Sequence, residues 1–403
     1  MNAPTLITNA RIVSAEETIE RGWLLISAGK ISALGHRQAP PIDGAVQIDA
    51  SGHTLLPGFI DLHVHGGAGG DTMDARLESL QAMARFYAEH GCTGFLATTW
   101  SAPHTQILAA LETIKVAMDR PIEGAALLGA HVEGPYLNPT YRGAQKPEAI
   151  RPIDREEVRA LLAADVVRLL AFAPELDDAE WLIRTCRERG IRVSAAHTGA
   201  TYEQICRAVE LGVQQMTHTF NGMTGLHHRA PGAAGAALTL DALACELIAD
   251  HQHVHPAVID LIFRAKGADG VILITDAVAA AGMPPGEYPL DERMVTVHDD
   301  RVVLPDGTLA GSVLTMDRAL ANAAIATGLP IDVLWRSASL NAARALQLDQ
   351  RKGSIAVGKD ADLVLIDEAF IAQLTFVAGH IVYQNARAAL TTRRPIEGDG
   401  SIL

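Results

Sequence analysis

Positive charge is scarce in this 403-residue chain. Lys and Arg total 33 against 47 Asp and Glu, a formal net charge of -14 at pH 7. That balance argues against nucleic acid as a partner and against anionic membrane surfaces. Any anion bound here has to be held by local donors. Aromatic residues reach only 4%, while hydrophobic residues make up 48%, ample for a large core. The length suits one big domain plus a small one. Cys92, Cys186, Cys206 and Cys245 are scattered without a Cys-x-x-Cys pair, which predicts isolated thiols in a reducing cytoplasm. No apolar run approaches the roughly 20 residues of a membrane span. Met1-Asn2-Ala3-Pro4 opens no basic, apolar signal sequence. The expectation is a soluble, cytoplasmic protein.

The ends and the middle of the chain have different textures. From Leu6 to about Leu56, and again around Ala361–Asp367 and Phe376–Tyr383, short alternating strands are broken by turns. Each piece is too small to fold alone, so residues 1–56 and 355–403 are expected to pair into one small β-sandwich. Between them, residues 57–354 alternate buried-type strands with helical segments such as Leu77–His90, Gln106–Met118, Arg155–Ala164 and Ala179–Arg189. Eight strand ends can be placed, near Asp61–His65, Leu96–Trp100, Gly129–Glu133, Leu170–Pro174, Ser194–Thr198, Met216–Phe220, Ile248–His253 and Ile272–Asp276. Repeated βα units of this number suit a (β/α)8 barrel, whose active site lies at the C-terminal ends of the strands. A doubly wound sheet fits less well. Gly66-Gly67-Ala68-Gly69-Gly70 follows the first strand but lacks Gly-x-Gly-x-x-Gly spacing.

Metal-competent side chains recur at those strand ends. His63 and His65 are spaced i, i+2, which puts both imidazoles on one face of a strand. Glu133 ends the third strand, just before Gly134-Pro135; His197 and His218 end the fifth and sixth; Asp276 ends the eighth. A single buried histidine is usually a hydrogen-bonded core residue, but six such groups sharing one barrel mouth point to a metal centre. Glu133, His197 and His218 form a two-histidine, one-carboxylate set with a position left for water, as in catalytic zinc sites. Such a metal acidifies water and polarises a carbonyl. Asp276 is placed to take that water's proton and pass it to a leaving amine. His63 and His65, with Glu133 as a bridge, form a candidate second metal site. The residues alone therefore indicate metal-assisted hydrolysis of an amide-like bond.

With these residues the chain resembles the amidohydrolase superfamily, and within it the N-acetylglucosamine-6-phosphate deacetylase family. The resemblance runs through Pro57–Gly66, His131–Pro135, Ala196-His197-Thr198, Thr217–Met223, Ile248-Ala249-Asp250, Thr275-Asp276-Ala277, Gly307–Ser312 and Gly358–Val364. It implies one or two divalent ions per chain, zinc foremost, with iron, manganese or cobalt as alternatives, and Asp276 as base and then acid. It implies that Asn221 and the amide of Gly222 hold a sugar phosphate and that His253 contacts the sugar and the scissile carbonyl. Ala144, Gln145, Leu309, Ala310 and Gly311 fall where the family lines its substrate pocket. Arg229 matches an arginine that reaches the phosphate in a neighbouring subunit, which implies a homodimer. Three departures lie on the substrate side: Gln145 where the family usually has histidine, His251 where it has glycine, and the segment Gly225–Gly232, longer than usual. They leave a different N-acylated amino sugar, or a D-aminoacylase-like substrate, as the rival reading. A non-enzymatic assembly protein of the dihydropyrimidinase-related kind would have lost ligands, and none is missing here.

Overall fold

The structure, a computed structural model, describes residues 3–120, 122–387 and 390–393. Eight strands form its centre: β1 (Phe59–Val64), β2 (Cys92–Thr99), β3 (Ala126–Glu133), β4 (Val167–Phe172), β5 (Arg192–Ala195), β6 (Gln215–Met216), β7 (Ala244–Ile248) and β8 (Val271–Ile274). Each pairs in parallel with the next in chain order. β1, β2 and β8 are buried along their whole length, which is why they read as continuous apolar runs rather than alternating ones. The ring closes at its mouth between β8 and β1. The amide of Asp276 donates to His63 O at 2.9 Å, and the amide of His65 to Ala277 O at 2.8 Å.

Helices α1 (Leu77–Glu89), α2 (His104–Met118), α3 (Arg155–Ala163), α4 (Ala179–Glu188), α5 (Tyr202–Leu211), α6 (Gly232–Thr239), α7 (Pro256–Lys266) and α8 (Met316–Thr327) surround the strands. Their local logic is direct. Asp154 caps α3 by accepting from the amides of Glu156 and Glu157, and Val158, Leu161 and Leu162 form its buried stripe. Thr201 and Gln204 make a reciprocal capping box at α5. The four helices expected from spacing lie within two residues of their predicted bounds.

Several strands are shorter than the sequence suggests. Residues 197, 218 and 276 were expected within β5, β6 and β8, yet those strands stop at Ala195, Met216 and Ile274. The backbone explains it. His197, His218 and Asp276 all have positive φ, at 44°, 28° and 51°, a left-handed conformation that terminates a strand. β7 likewise stops at Ile248, before His253.

The two chain ends combine into one nine-stranded sheet. Thr54–Pro57 from the N-terminal side pairs antiparallel with Leu363–Ile366 from the C-terminal side. The sheet has its own apolar cluster, including Ile7, Ile12, Leu24, Ile48, Leu363, Leu374 and Phe376. We propose the domain division at 56/57 and 354/355. Residues 1–2, 388–389 and 394–403 of that small unit lie outside the described residues. An antiparallel four-stranded sheet, Gly286–Leu290, Arg293–His298, Arg301–Val303 and Leu309–Ser312, is inserted between β8 and α8. Its last strand returns to the barrel mouth, where the Ser312 amide donates to Asp276 O at 2.8 Å.

Candidate active site

The left-handed turns just beyond β5, β6 and β8 carry His197, His218 and Asp276 to the mouth, where Glu133 emerges from β3. Non-glycine residues in this conformation store strain that surrounding structure must hold. His197 Nδ1 donates to Tyr141 O at 2.8 Å, and His218 Nδ1 to Asn221 O at 3.1 Å. With both Nδ1 protons committed, the two Nε2 lone pairs face each other at 3.2 Å. They lie 3.3 and 3.1 Å from Glu133 Oε1. Two imidazole nitrogens and a carboxylate oxygen converging on one point form a donor set that fits a metal ion.

A second group adjoins the first. His63 Nε2 and His65 Nε2 are 3.3 Å apart and lie 3.5 and 3.4 Å from the Glu133 carboxylate, His63 from Oε1 and His65 from Oε2. Glu133 thus belongs to both candidate metal-holding groups, Glu133–His197–His218 and His63–His65–Glu133. Asp276 Oδ1 stands 3.4 Å from His63 Nε2 and 3.3 Å from His65 Nε2. The ring of His65 stacks on Trp100 with centroids 3.8 Å apart.

Electrostatics follow from this crowding. Burial pushes the Glu133 carboxyl up, but His63, His197 and His218 hold it well below the usual range. Asp276 is likewise lowered, with His63 and His65 overcoming the effect of burial. His131, on β3, is fully buried beside His63 and is held well below the usual imidazole range, first by burial and then by that neighbour. Its ring stands edge-on to that of His63, with centroids 4.6 Å apart.

A model described as the amidohydrolase family matches residues 54–383. The N-acetylglucosamine-6-phosphate deacetylase of Bacillus subtilis is 40% identical over 389 residues, covering 95% of this chain and 98% of its own. The chain belongs to the amidohydrolase family, among the N-acetylglucosamine-6-phosphate deacetylases. An N-acetylgalactosamine-6-phosphate deacetylase of Escherichia coli O157:H7 is 38% identical over 373 residues, covering 92% of this chain and 97% of its own. The crystal structure of the Pasteurella multocida N-acetylglucosamine-6-phosphate deacetylase superposes with a TM-score of 0.90 at 31% identity, covering 95% of this chain and all of that one. The amidohydrolase family is metal-dependent, and the buried His and Glu groups that can hold a metal are present in this chain.

Beside the donor groups lies a cavity of about 230 Å³, with Trp100, Gln145, Asn221 and His253 among its walls. Of the residues expected around substrate, Ala144, Gln145, Asn221, Gly222, His253, Leu309 and Gly311 all line it, with Ala310 buried behind them. Gly222 has φ +57°, and a Cβ there would stand 2.7 Å from His197 Nδ1, so only glycine allows this approach. His253 is held by Asp250, with Nδ1 and Oδ2 2.7 Å apart. Burial lowers His253, but Asp250 raises it above the ordinary imidazole value. Arg229 is not brought to this cavity. It is exposed on a loop, with its guanidinium 2.7 Å from His228 Nε2.

The structure adds residues that sequence reading passed over. Glu175, just past β4, accepts from Asn138 Nδ2 at 2.9 Å, from the amide of Gly199 at 2.6 Å and from the Thr198 hydroxyl, tying down the loop that carries His197. Trp100 was marked only as a strand end, yet it supports His65. Glu246, in the middle of β7, is fully buried against His63. A carboxylate inside the apolar run Ala-Cys-Glu-Leu-Ile was the available signal for it.

Proposed function

We propose that this protein removes the acetyl group from N-acetylglucosamine 6-phosphate, releasing glucosamine 6-phosphate and acetate, in the cytoplasm and as a homodimer. The observation that carries this reading is the convergence of Glu133, His197 and His218 on one point, beside Asp276 and a sugar-sized cavity, in a chain 40% identical to an enzyme of that name. Glu133, His197 and His218 would hold one divalent ion, zinc by the donor set. His63 and His65, sharing Glu133, would hold a second. An ion bound there acidifies water and polarises the amide carbonyl.

The chain's own residues supply the rest. Asp276, ionised and 8% exposed at the mouth, takes the proton of the attacking water and delivers it to the amine nitrogen as the C–N bond breaks. His253, oriented by Asp250, donates toward the sugar and the scissile carbonyl. Asn221 and the amide of Gly222 hold the phosphate, and Arg229 of a second copy completes that anion site.

Acetate release from a panel of N-acetylated amino sugars, gluco and galacto, each with and without the 6-phosphate, tests the proposal. Fastest turnover of the gluco 6-phosphate is expected. Preference for the galacto isomer would match the Escherichia coli relative instead, and indifference to phosphate would replace the reading with a broader N-acyl amidohydrolase.

A further inference from the structure

We infer that Glu246 is a positioning residue for the half of the metal centre built on His63; this rests on the two-metal reading above. Glu246 lies in the middle of β7 and is 0% exposed. Its Oε2 accepts from His63 Nδ1 at 3.2 Å and from the backbone amide of His218 at 3.3 Å. Its Oε1 accepts from the side-chain amide of Gln215, whose own oxygen accepts from Arg192 Nε at 3.2 Å. The Glu246 carbonyl accepts from the amide of Thr219 at 2.9 Å. One carboxylate oxygen is therefore shared by an imidazole of the second donor group and the backbone of a histidine in the first.

The other three imidazoles are treated differently. His197 and His218 give Nδ1 to neutral backbone carbonyls. His65 has a buried Nδ1 without a hydrogen-bond partner and is held by stacking on Trp100. Only His63 has a carboxylate behind it. A carboxylate on Nδ1–H fixes the tautomer, orients the ring and makes Nε2 a stronger donor to a cation. Burying a carboxylate is unfavourable without partners, and the relay Arg192–Gln215–Glu246–His63 supplies them across the barrel floor. That relay ends on Nδ1 of a ring whose Nε2 lies 3.5 Å from Glu133 and 3.4 Å from Asp276, so a bulk-filling role leaves its direction unexplained.

The test measures ions per chain by elemental analysis after loading with zinc and dialysis against graded chelator. Wild type is expected to hold two ions. Glu246→Gln and Glu246→Ala should release the weaker ion at chelator concentrations about 10- to 100-fold lower, the usual consequence of losing a partner behind a metal-ligating histidine. The tighter ion should shift far less. In a His63→Ala background, adding Glu246→Ala should cause no further loss at the weaker site. Wild type holding a single ion under all conditions would remove the two-metal reading, and this inference with it. Two ions held at wild-type affinity by both variants would remove the role of Glu246 alone. Parallel loss of both ions would overturn it in favour of general support of the barrel. Should Glu246→Ala not fold, the near-isosteric Glu246→Gln carries the same comparison.

Discussion

Gln145 holds Glu133 by the oxygen that faces His65. Its Nε2 donates to Glu133 Oε2 at 2.6 Å, and its own Oε1 accepts from the amide of Ser101 at 2.8 Å. Both side chains are buried. One amide thus locks the shared carboxylate against the end of β2, leaving Oε1 to His197, His218 and His63. Gln145→Leu keeps much of the volume and removes both bonds. It should cost about 1–3 kcal/mol of stability through the polar groups left unpaired. Denaturant titration of the metal-free protein checks this, and unchanged stability would show that the clamp is not formed.

The first donor set makes a sharper expectation. His197→Ala and His218→Ala should each lose the ion held with Glu133, and nearly all activity with it, while far-ultraviolet circular dichroism still reports a folded barrel. Both side chains sit beyond strand ends, so their removal leaves the ladders intact. Full metal occupancy in both variants would refute the assignment.

Asp276→Asn should retain metal and substrate binding but lower turnover by roughly 10²- to 10⁴-fold, the usual worth of a general acid–base group. Its amide still accepts from the neighbouring donors but cannot cycle a proton. A turnover close to wild type would transfer the proton to another group, with His253, which lines the same cavity, the alternative.

The eight-unit barrel was legible because parallel strands covered on both faces read as unbroken apolar runs, and because helices such as α3 carry both a cap and a stripe. That His63, His65, Glu133, His197, His218 and Asp276 converge at one mouth was legible because polar side chains at the ends of such runs have little reason to be there otherwise. The left-handed turns at 197, 218 and 276 were not, since φ is set by the hydrogen bonds around each residue rather than by its type. Glu246 was missed for a related reason. Its partners Gln215, His63 and His218 lie on other strands, so nothing next to it in the chain marks it as paired. The four-stranded insertion after β8 was not read because its strands are only three to six residues long; Arg293–His298 does alternate exposed and buried residues, with Val295 and Val297 packed beside Leu290 and Val302.

Asp250 and His253 give a pH signature. Asp250 is lowered, with His253 outweighing its burial, and His253 is raised by Asp250. The raised histidine contributes stability that is fully present below its unfolded value of about 6.5 and lost as pH rises through its higher folded value. The lowered carboxylate contributes stability present above its unfolded value of about 4 and lost as pH falls through its lower folded value. The pair therefore stabilises most between about pH 4 and 6.5. Thermal melts of wild type and Asp250→Asn across pH should differ most in that window and converge above it. A constant difference would mean that the two side chains are not coupled.

With a net charge of -14, the protein as a whole repels an anionic sugar, so a concentrated local site is required. Within one chain, Asn221 and Gly222 line the cavity but bring no cation to it. Arg229 is exposed, 2.7 Å from His228 and outside the cavity wall of its own chain. A guanidinium in that position is free to serve a second copy, where its fork can grip a phosphate with two bonds. Arg229→Ala should raise KM for the 6-phosphate about 10- to 100-fold, the loss of a charge-assisted contact worth about 1.5–3 kcal/mol. Turnover of the unphosphorylated N-acetyl sugar should scarcely change. Mixing Arg229→Ala with Asp276→Asn separates cis from trans. In the mixed dimer the Asp276→Asn chain lends Arg229 to the partner that retains Asp276, so one site of low KM is restored. If Arg229 acted within its own chain, no mixture would recover it, and the shared-site reading would fall.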